Sequence, residues 1–151
     1  MPLAAGSWYY FYVTEEGKQK IMAIAKKYNL ALLVLFGSRA RGDALEKSDF
    51  DVAYSSIAPM DLVEESEMAV ELHEIFKTIN VDMVNLSNAN PLLMKKIVDE
   101  GVVLYEAKES LFNSLYLYAM RIYRESEFLN KVRREYVLSR INQHKKDAAR
   151  A

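Results

Sequence analysis

Residues 37–52 read GSRARGDALEKSDFDV, and the rest of the chain is best interpreted from this stretch. Gly37 and Ser38 stand ten residues ahead of a pair of aspartates, Asp49 and Asp51, which are separated by one residue. In a β-strand, residues i and i+2 point to the same face, so the two carboxylates should lie side by side. Carboxylate oxygens at this spacing suit Mg²⁺, which usually binds through one or two carboxylates together with phosphate oxygens.

The beginning of the same stretch predicts a phosphate-binding turn. The apolar run Leu30–Phe36, LALLVLF, predicts a buried strand that leads directly into Gly37 and Ser38, and Arg39 and Arg41 follow. Glycine lets the backbone approach a phosphate closely, and the start of a helix favours anions. A phosphate cradle beside a metal clamp indicates nucleotidyl transfer. The alternative is a surface loop whose aspartates are only solvated.

A third aspartate extends the predicted site. The segment Val81–Leu86, VDMVNL, alternates as a strand, and it places Asp82 on the same face as Val84 and Leu86. An unpaired carboxylate on a buried apolar face would be costly, so Asp82 is expected to face a site, a partner or a metal. If the strands are neighbours in one sheet, Asp49, Asp51 and Asp82 come together. Three such carboxylates can hold two Mg²⁺ ions about 4 Å apart, as in-line phosphoryl displacement requires.

Composition limits the class of protein. A chain of 151 residues with 51% hydrophobic residues fits one folded domain. It has no cysteine, which excludes disulfides and thiolate chemistry, and it has no apolar run of the length that a membrane span needs. The beginning of the chain does not resemble a secretion signal, so a cytoplasmic location is expected.

The charges are distributed unevenly. From residue 107 onward there are ten Lys/Arg and five Asp/Glu, a balance of +5, so the first 106 residues carry −6 of the total of −1. A basic tail can meet nucleic acid or an acidic partner surface. The alternative is a solvated helical face with a basic end, which also suits the helix dipole.

Apolar periodicity, caps and breakers predict an α/β chain in which helices and strands alternate. The last helix is expected to be one long helix or two with a break near Glu125. It is too long to pack wholly on a small core, so its apolar stripe is expected to bury against another helix of the chain or of a partner. The predicted elements are a helix capped by Thr14 that ends near Asn29, a strand over 30–36, a helical turn over 38–42, a strand over 49–54, a helix from Asp61 to about Lys77, a strand over 81–86, a helix from Pro91, capped by Asn90, to Gly101, a strand over 102–105, and a helix from Lys108 to about His144.

With these residues in place, the chain resembles the minimal nucleotidyltransferases (MNT) of the polymerase-beta superfamily, whose signature is GS-x10-D-x-D with a third acid on a later strand. The resemblance implies a small mixed β-sheet flanked by helices over residues 1–106, with residues 107–151 as a helical extension of the same domain. It further implies that Asp49 and Asp51 bind both metal ions, and that Asp82 binds the catalytic ion and helps deprotonate the acceptor hydroxyl. The nucleotide-binding residues that it implies are Gly37, Ser38, Arg39, Arg41 and Ser48.

Among MNT proteins, the small size and long helical tail most resemble the antitoxins that pair with HEPN-domain toxins. The resemblance implies transfer of AMP from ATP onto a tyrosine of a HEPN toxin, with Mg²⁺ as the metal and no direct nucleic-acid contact. The tail would then dock on the helical partner or form an oligomer. Two alternatives stay open, namely a nucleotidyltransferase with a small-molecule or RNA acceptor, and a binder without activity that blocks its partner.

Overall fold

The computed structural model describes residues 14–45 and 47–150, so the aromatic cluster at residues 8–12 lies outside the described residues. Within these residues, five α-helices and four strands follow one another in the predicted order. They are α1 (Glu15–Lys27), β1 (Leu30–Phe36), α2 (Gly37–Arg41), β2 (Phe50–Ser56), α3 (Leu62–Phe76), β3 (Val81–Asn85), a 3₁₀ turn (Leu86–Asn88), α4 (Pro91–Glu100), β4 (Val102–Glu106) and α5 (Leu111–Arg150).

The four strands form one mixed sheet in the order β3-β2-β1-β4. Strand β1 pairs antiparallel with β2 and with β4, whereas β2 and β3 run parallel and are connected through α3. The predicted small mixed sheet flanked by helices is therefore confirmed. The order places the end of β1 beside the start of β2, and the start of β3 on the other side of β2, so the three segments with the site residues are neighbours.

Strand β1 is central and is covered on both faces, which explains its continuous apolar sequence. Leu33 and Leu35 belong to one cluster with Ala25 of α1 and Leu72 of α3, and Val34 belongs to a second cluster with Ile97 of α4. Helices thus flank both faces of the sheet. Each fully buried leucine side chain contributes roughly 2 kcal/mol by leaving water, so β1 anchors the core.

The predicted caps of α1, α3 and α4 are confirmed in detail, whereas α5 begins at Leu111 rather than at Lys108 and ends at Arg150 rather than near His144. Thr14 caps α1 by accepting a hydrogen bond from the Gly17 amide at 3.2 Å. Asp61 and Glu64 form a reciprocal capping box at the start of α3, and Asn90 caps α4 ahead of Pro91. Short polar side chains at these positions satisfy amides that have no partner within the helix, which is why sequence alone locates helix starts.

Other sequence expectations are wrong. Strand β2 begins at Phe50, so Asp49 lies just before the strand, and β3 ends at Asn85 rather than at residue 86. Asp82 is exposed on the edge strand β3, which leaves open the prediction that it faces a site, a partner or a metal. On α1 and α3, whose apolar side chains follow helical spacing, Met22, Leu62, Val63 and Val70 are more than two-fifths exposed.

Helix α5 is a single unbroken helix of 40 residues, without a break near Glu125. Its first third packs on α4 and the sheet, where Ala119 is fully buried and Phe112 and Leu115 are partly buried. Residues 127–150 are exposed throughout, as expected for a helix longer than its core. Among the described helices, none combines the length and the apolar character that crossing a bilayer requires.

Candidate active site

The Gly-Ser turn and the second aspartate are in direct contact. Strand β1 ends at Phe36, whose register partner on β2 is Asp51. Gly37 follows with a φ of +74°, a region that favours glycine, and a Cβ at this position would lie 2.2 Å from Asp51 Oδ2. A glycine is therefore needed at position 37 for two reasons: a side chain would strain the turn, and it would occupy the space of the Asp51 carboxylate.

Asp51 and Asp82 are register partners on the parallel strands β2 and β3. Parallel neighbours in register present their side chains on the same face of the sheet, with backbones about 4.8 Å apart. The structure thus brings together two of the three predicted acids. Asp49 precedes β2 and is exposed, and its charge still acts on Asp51.

Electrostatics at Asp51 reflect this crowding. Burial raises the pKa of the Asp51 carboxyl, and the negative charges of Asp82, Asp49 and Glu100 raise this pKa further. The ammonium group of Lys96 acts in the opposite direction. The ionised form of Asp51 is therefore disfavoured first by burial and then by repulsion from the neighbouring acids. A bound cation would relieve that repulsion.

The residues fit a magnesium ion in donor chemistry. Mg²⁺ binds carboxylate oxygens and completes its shell with water and substrate phosphates, so it does not need an all-protein cage. In residues 14–45 and 47–150, no group of three or more His, Cys, Asp or Glu side chains is arranged to hold a metal ion, so the three aspartates do not form a complete site by themselves. The carboxylates of Asp49, Asp51 and Asp82 are the donors available here.

Arg39 and Ser48 are connected to each other. The Arg39 guanidinium donates hydrogen bonds from Nε and Nη2 to the Ser48 carbonyl oxygen, at 3.3 and 2.9 Å, and lies 4.6 Å from the centre of the Phe50 ring. The Ser48 hydroxyl oxygen accepts a hydrogen bond from the Leu45 amide at 2.8 Å. Both residues thereby fix the loop that leads into Asp49. Their contact with a nucleotide stays a prediction.

Ser38 and Arg41 hold the turn after β1. The Ser38 carbonyl accepts hydrogen bonds from the amides of Gly42 and Asp43 at 3.0 and 3.2 Å, which ends α2 after five residues. Arg41 Nη1 donates to Glu100 Oε2 at 2.8 Å and so connects α2 to α4. The nucleotide contacts predicted for Ser38 and Arg41 also stay predictions.

Sequence reasoning missed the contribution of α4. Glu100 bonds Arg41, and both Glu100 and Lys96 act on the Asp51 carboxyl. Their spacing of four residues puts them on one face of α4, but nothing in that spacing shows that the face lies beside the acids. Pairing of Arg41 with a residue 59 positions away depends on the tertiary fold.

The fold and the site together define a nucleotidyltransferase. The family model for polymerase beta nucleotidyltransferases matches residues 19–110, which include the Gly-Ser turn and all three aspartates. The chain belongs to this family.

Two relatives of known name are similar to this chain in sequence. The chain is 31% identical over 87 residues to a protein of Methanocaldococcus jannaschii that is provisionally named a protein adenylyltransferase; the match covers 58% of this chain and 92% of that protein. It is 30% identical over 80 residues to the protein adenylyltransferase MntA of Shewanella oneidensis, with 53% of this chain covered. The chain spans 57% of the length of MntA.

Solved structures agree with the fold. A chain from the crystal structure of a toxin–antitoxin complex with AMP-PNP is similar with a TM-score of 0.67, at 23% identity, over 80% of this chain and 98% of that chain. A chain from the complex of tri-AMPylated Shewanella oneidensis HEPN toxin with MNT antitoxin has a TM-score of 0.61, at 21% identity, over 80% of this chain and 95% of that chain. At these identities the similarity shows a shared fold.

Proposed function

We propose that this chain is a Mg²⁺-dependent protein adenylyltransferase that transfers AMP from ATP to a tyrosine hydroxyl of a HEPN-domain toxin and so acts as its antitoxin. The observation that carries the proposal is the alignment of Asp51 with Asp82 directly beside the backbone of Gly37. A clustered set of carboxylates next to a close-approach glycine suits a nucleoside triphosphate with its cations. It has no evident use in a protein that only binds.

The transfer is a displacement at the α-phosphorus of ATP. The acceptor oxygen forms a new bond to that phosphorus, the bond from phosphorus to the bridging oxygen of the β-phosphate breaks, and pyrophosphate leaves. When bound, Mg²⁺ supplies positive charge that stabilises the attacking and leaving oxygens. In our proposal Asp49 and Asp51 hold the ions, and Asp82 also accepts the proton of the acceptor hydroxyl.

The other proposed residues position the nucleotide. In our proposal the backbone of Gly37 and Ser38 receives the β- and γ-phosphates, and the lack of a side chain at position 37 supports this by leaving the backbone open to close approach. Arg39 and Ser48 set the position of Asp49 through their mutual hydrogen bonds. Such chemistry depends mainly on positioning and on charge stabilisation, so small displacements of these groups should cost much activity.

The acceptor is proposed from the relatives. MntA of Shewanella oneidensis is named a protein adenylyltransferase, and a similar fold occurs in a complex with a tri-AMPylated HEPN toxin. The exposed half of α5 supplies a surface on which a protein acceptor can dock. These observations favour a protein over a small molecule or an RNA end as acceptor.

The test uses ATP labelled at the α-phosphate, with Mg²⁺ and a purified HEPN-domain protein as the acceptor. We expect label on a tyrosine of the HEPN protein, loss of transfer when EDTA removes the metal, and loss in the Asp49→Asn/Asp51→Asn double variant. An exposed Asp147→Asn variant serves as the control and should keep full activity. A tight complex without label, unaffected by the double substitution, would instead indicate a non-catalytic antitoxin. Label only on an added RNA or aminoglycoside would move the acceptor to another class.

A further inference from the structure

Adjoining surface depressions run along the contact of α4 with α5 and continue along the exposed face of α5. Two depressions of about 630 and 590 Å³ share Asn90, Leu92 and Tyr123 in their walls. The second continues through Asn130 and Arg134 into a smaller one of about 360 Å³. We call this feature the α4–α5 groove. It follows α4 and then the part of α5 that extends beyond the core.

The inner end of the groove lies beside the acid site. Lys96 and Glu100 line this end. Glu100 is hydrogen-bonded to Arg41 of the turn that follows Gly37, and the charge of Lys96 acts on the Asp51 carboxyl. A chain that lies in the groove would therefore pass close to the position at which Asp51 and Asp82 meet.

The outer end of the groove is basic. Lys131, Arg133 and Arg134 line it, with Glu127 as an opposing acid. Residues 124–150 as a whole carry eight Lys/Arg and four Asp/Glu, a balance of +4, whereas the complete chain is at −1. The basic character is thus concentrated where the helix leaves the core.

The same groove has exposed apolar walls. Leu92 is 67% exposed on the α4 side, and Val137 and Leu138 are 46% and 53% exposed on α5. Apolar side chains grouped with basic ones favour a polypeptide that carries both apolar and acidic side chains. Two copies of α5 packed together would each contribute a charge of +4 from residues 124–150, so electrostatic repulsion disfavours self-association. A nucleic-acid backbone would use the basic groups but not the apolar walls.

We propose that the α4–α5 groove binds an acidic segment of the acceptor protein and leads its acceptor hydroxyl to Asp51 and Asp82. The inference rests on the proposed function, because it assigns the docking surface for that transfer. Acidic side chains of the segment pair with Lys131, Arg133 and Arg134. Its apolar side chains pack on Leu92, Val137 and Leu138. The groove is thereby a specificity-determining surface, separate from the residues that hold the nucleotide.

The test compares two charge reversals of equal size on the exposed part of α5. Arg133→Glu/Arg134→Glu changes the groove, and Lys145→Glu/Lys146→Glu makes the same change of charge at positions that are not among the groove residues. The ligand is the HEPN-domain protein used as acceptor in the transfer test. We expect the groove variant to raise the Kd and the KM for this protein by about tenfold or more, with kcat and the KM for ATP nearly unchanged, because complementary charges act on encounter and docking. The control variant should remain within about twofold of the wild type.

The possible results separate the docking surface from the activity. If the wild type transfers AMP and both variants match it in KM, the groove proposal is wrong and the proposed function stands. If the wild type binds the HEPN protein without transfer and only the groove variant loses binding, the groove is supported and the activity is not. If the wild type neither binds nor modifies the HEPN protein, the groove proposal and the proposed function are both wrong. Loss of binding to single-stranded RNA in the groove variant, with HEPN binding intact, would also overturn the proposal.

Discussion

A methyl group at position 37 would lie 2.2 Å from Asp51 Oδ2, so the glycine of the turn and the second aspartate of the pair exclude any side chain between them. Gly37→Ala therefore has to displace the carboxylate or the turn, and it also forces alanine to a φ of +74°. We expect AMP transfer to fall about 100-fold, the cost of misplacing reacting groups by about 1 Å. Label transfer from ATP is the measurement.

Gly42→Ala is the matched control for that substitution. Gly42 has a φ of +82°, but a Cβ there meets nothing within 4 Å. It should cost about 1 kcal/mol of unfolding free energy from backbone strain alone and leave transfer intact. Equal losses of activity in the two variants would mean that strain of the turn, rather than its contact with Asp51, controls the site.

The raised pKa of Asp51 predicts how stability depends on pH. Because the folded-state pKa lies above that of the unfolded chain, the folded protein binds more protons between the two values, and its stability falls as pH rises through this interval. Asp51→Asn removes the ionised group, so the variant should be more stable than the wild type at pH 7 without metal and inactive in transfer. Urea unfolding from pH 4 to pH 8 measures this difference.

Magnesium provides the internal check of that prediction. An ion that binds the aspartates of the folded state stabilises that state by mass action. Added Mg²⁺ should therefore raise the urea midpoint of unfolding more for the wild type than for Asp51→Asn. Asp147→Asn makes the same charge change on the exposed tail and should follow the wild type. A variant that is less stable than the wild type at every pH would show that the carboxylate has a stabilising partner.

Arg39→Lys tests whether the arginine positions the loop before Asp49. Lysine cannot keep both hydrogen bonds to the Ser48 carbonyl or the planar contact with the Phe50 ring. We expect a loss of about 1 kcal/mol in unfolding free energy together with a lower kcat. A higher KM for ATP with unchanged stability would instead identify Arg39 as a phosphate ligand. The exposed Arg140→Lys variant, on the part of α5 beyond the core, is the control and should change neither quantity.

Asp61→Ala tests a feature that sequence alone located. Asp61 Oδ1 accepts from the Glu64 amide at 2.8 Å, and Glu64 Oε2 accepts from the Asp61 amide at 3.0 Å. Loss of this capping box should cost about 1 kcal/mol of unfolding free energy, while Asp61→Ser should restore most of it and transfer should not change. Thermal unfolding of the two variants decides between the cap and a wider role for the carboxylate.

Local rules account for what the sequence predicted well. The caps at Thr14 and Asp61 depend on neighbours three residues away, and the position of Asp51 beside Gly37 follows from adjacent strands. Long-range packing accounts for what it did not predict. Arg39 bonds to Ser48 and Arg41 bonds to Glu100 because α2, the following loop and α4 meet in the folded chain. The spacing of apolar residues in the sequence does not show this meeting. For the same reason, the apolar stripe of α3 did not show which of its side chains extend past the sheet.

Truncation tests where the folded unit ends, because the division at residue 106 is a prediction from sequence. Cutting there would remove Phe112, Leu115 and Ala119, which pack on α4 and the sheet, so that fragment should unfold or aggregate. Cutting after Ser126 removes a segment that is exposed throughout, and it should leave the thermal midpoint within a few degrees of the full chain. The shorter chain also lacks Lys131, Arg133 and Arg134, so it should lose affinity for the HEPN protein while it remains folded. A soluble, cooperatively unfolding fragment of residues 1–106 would show that α5 is dispensable for the core.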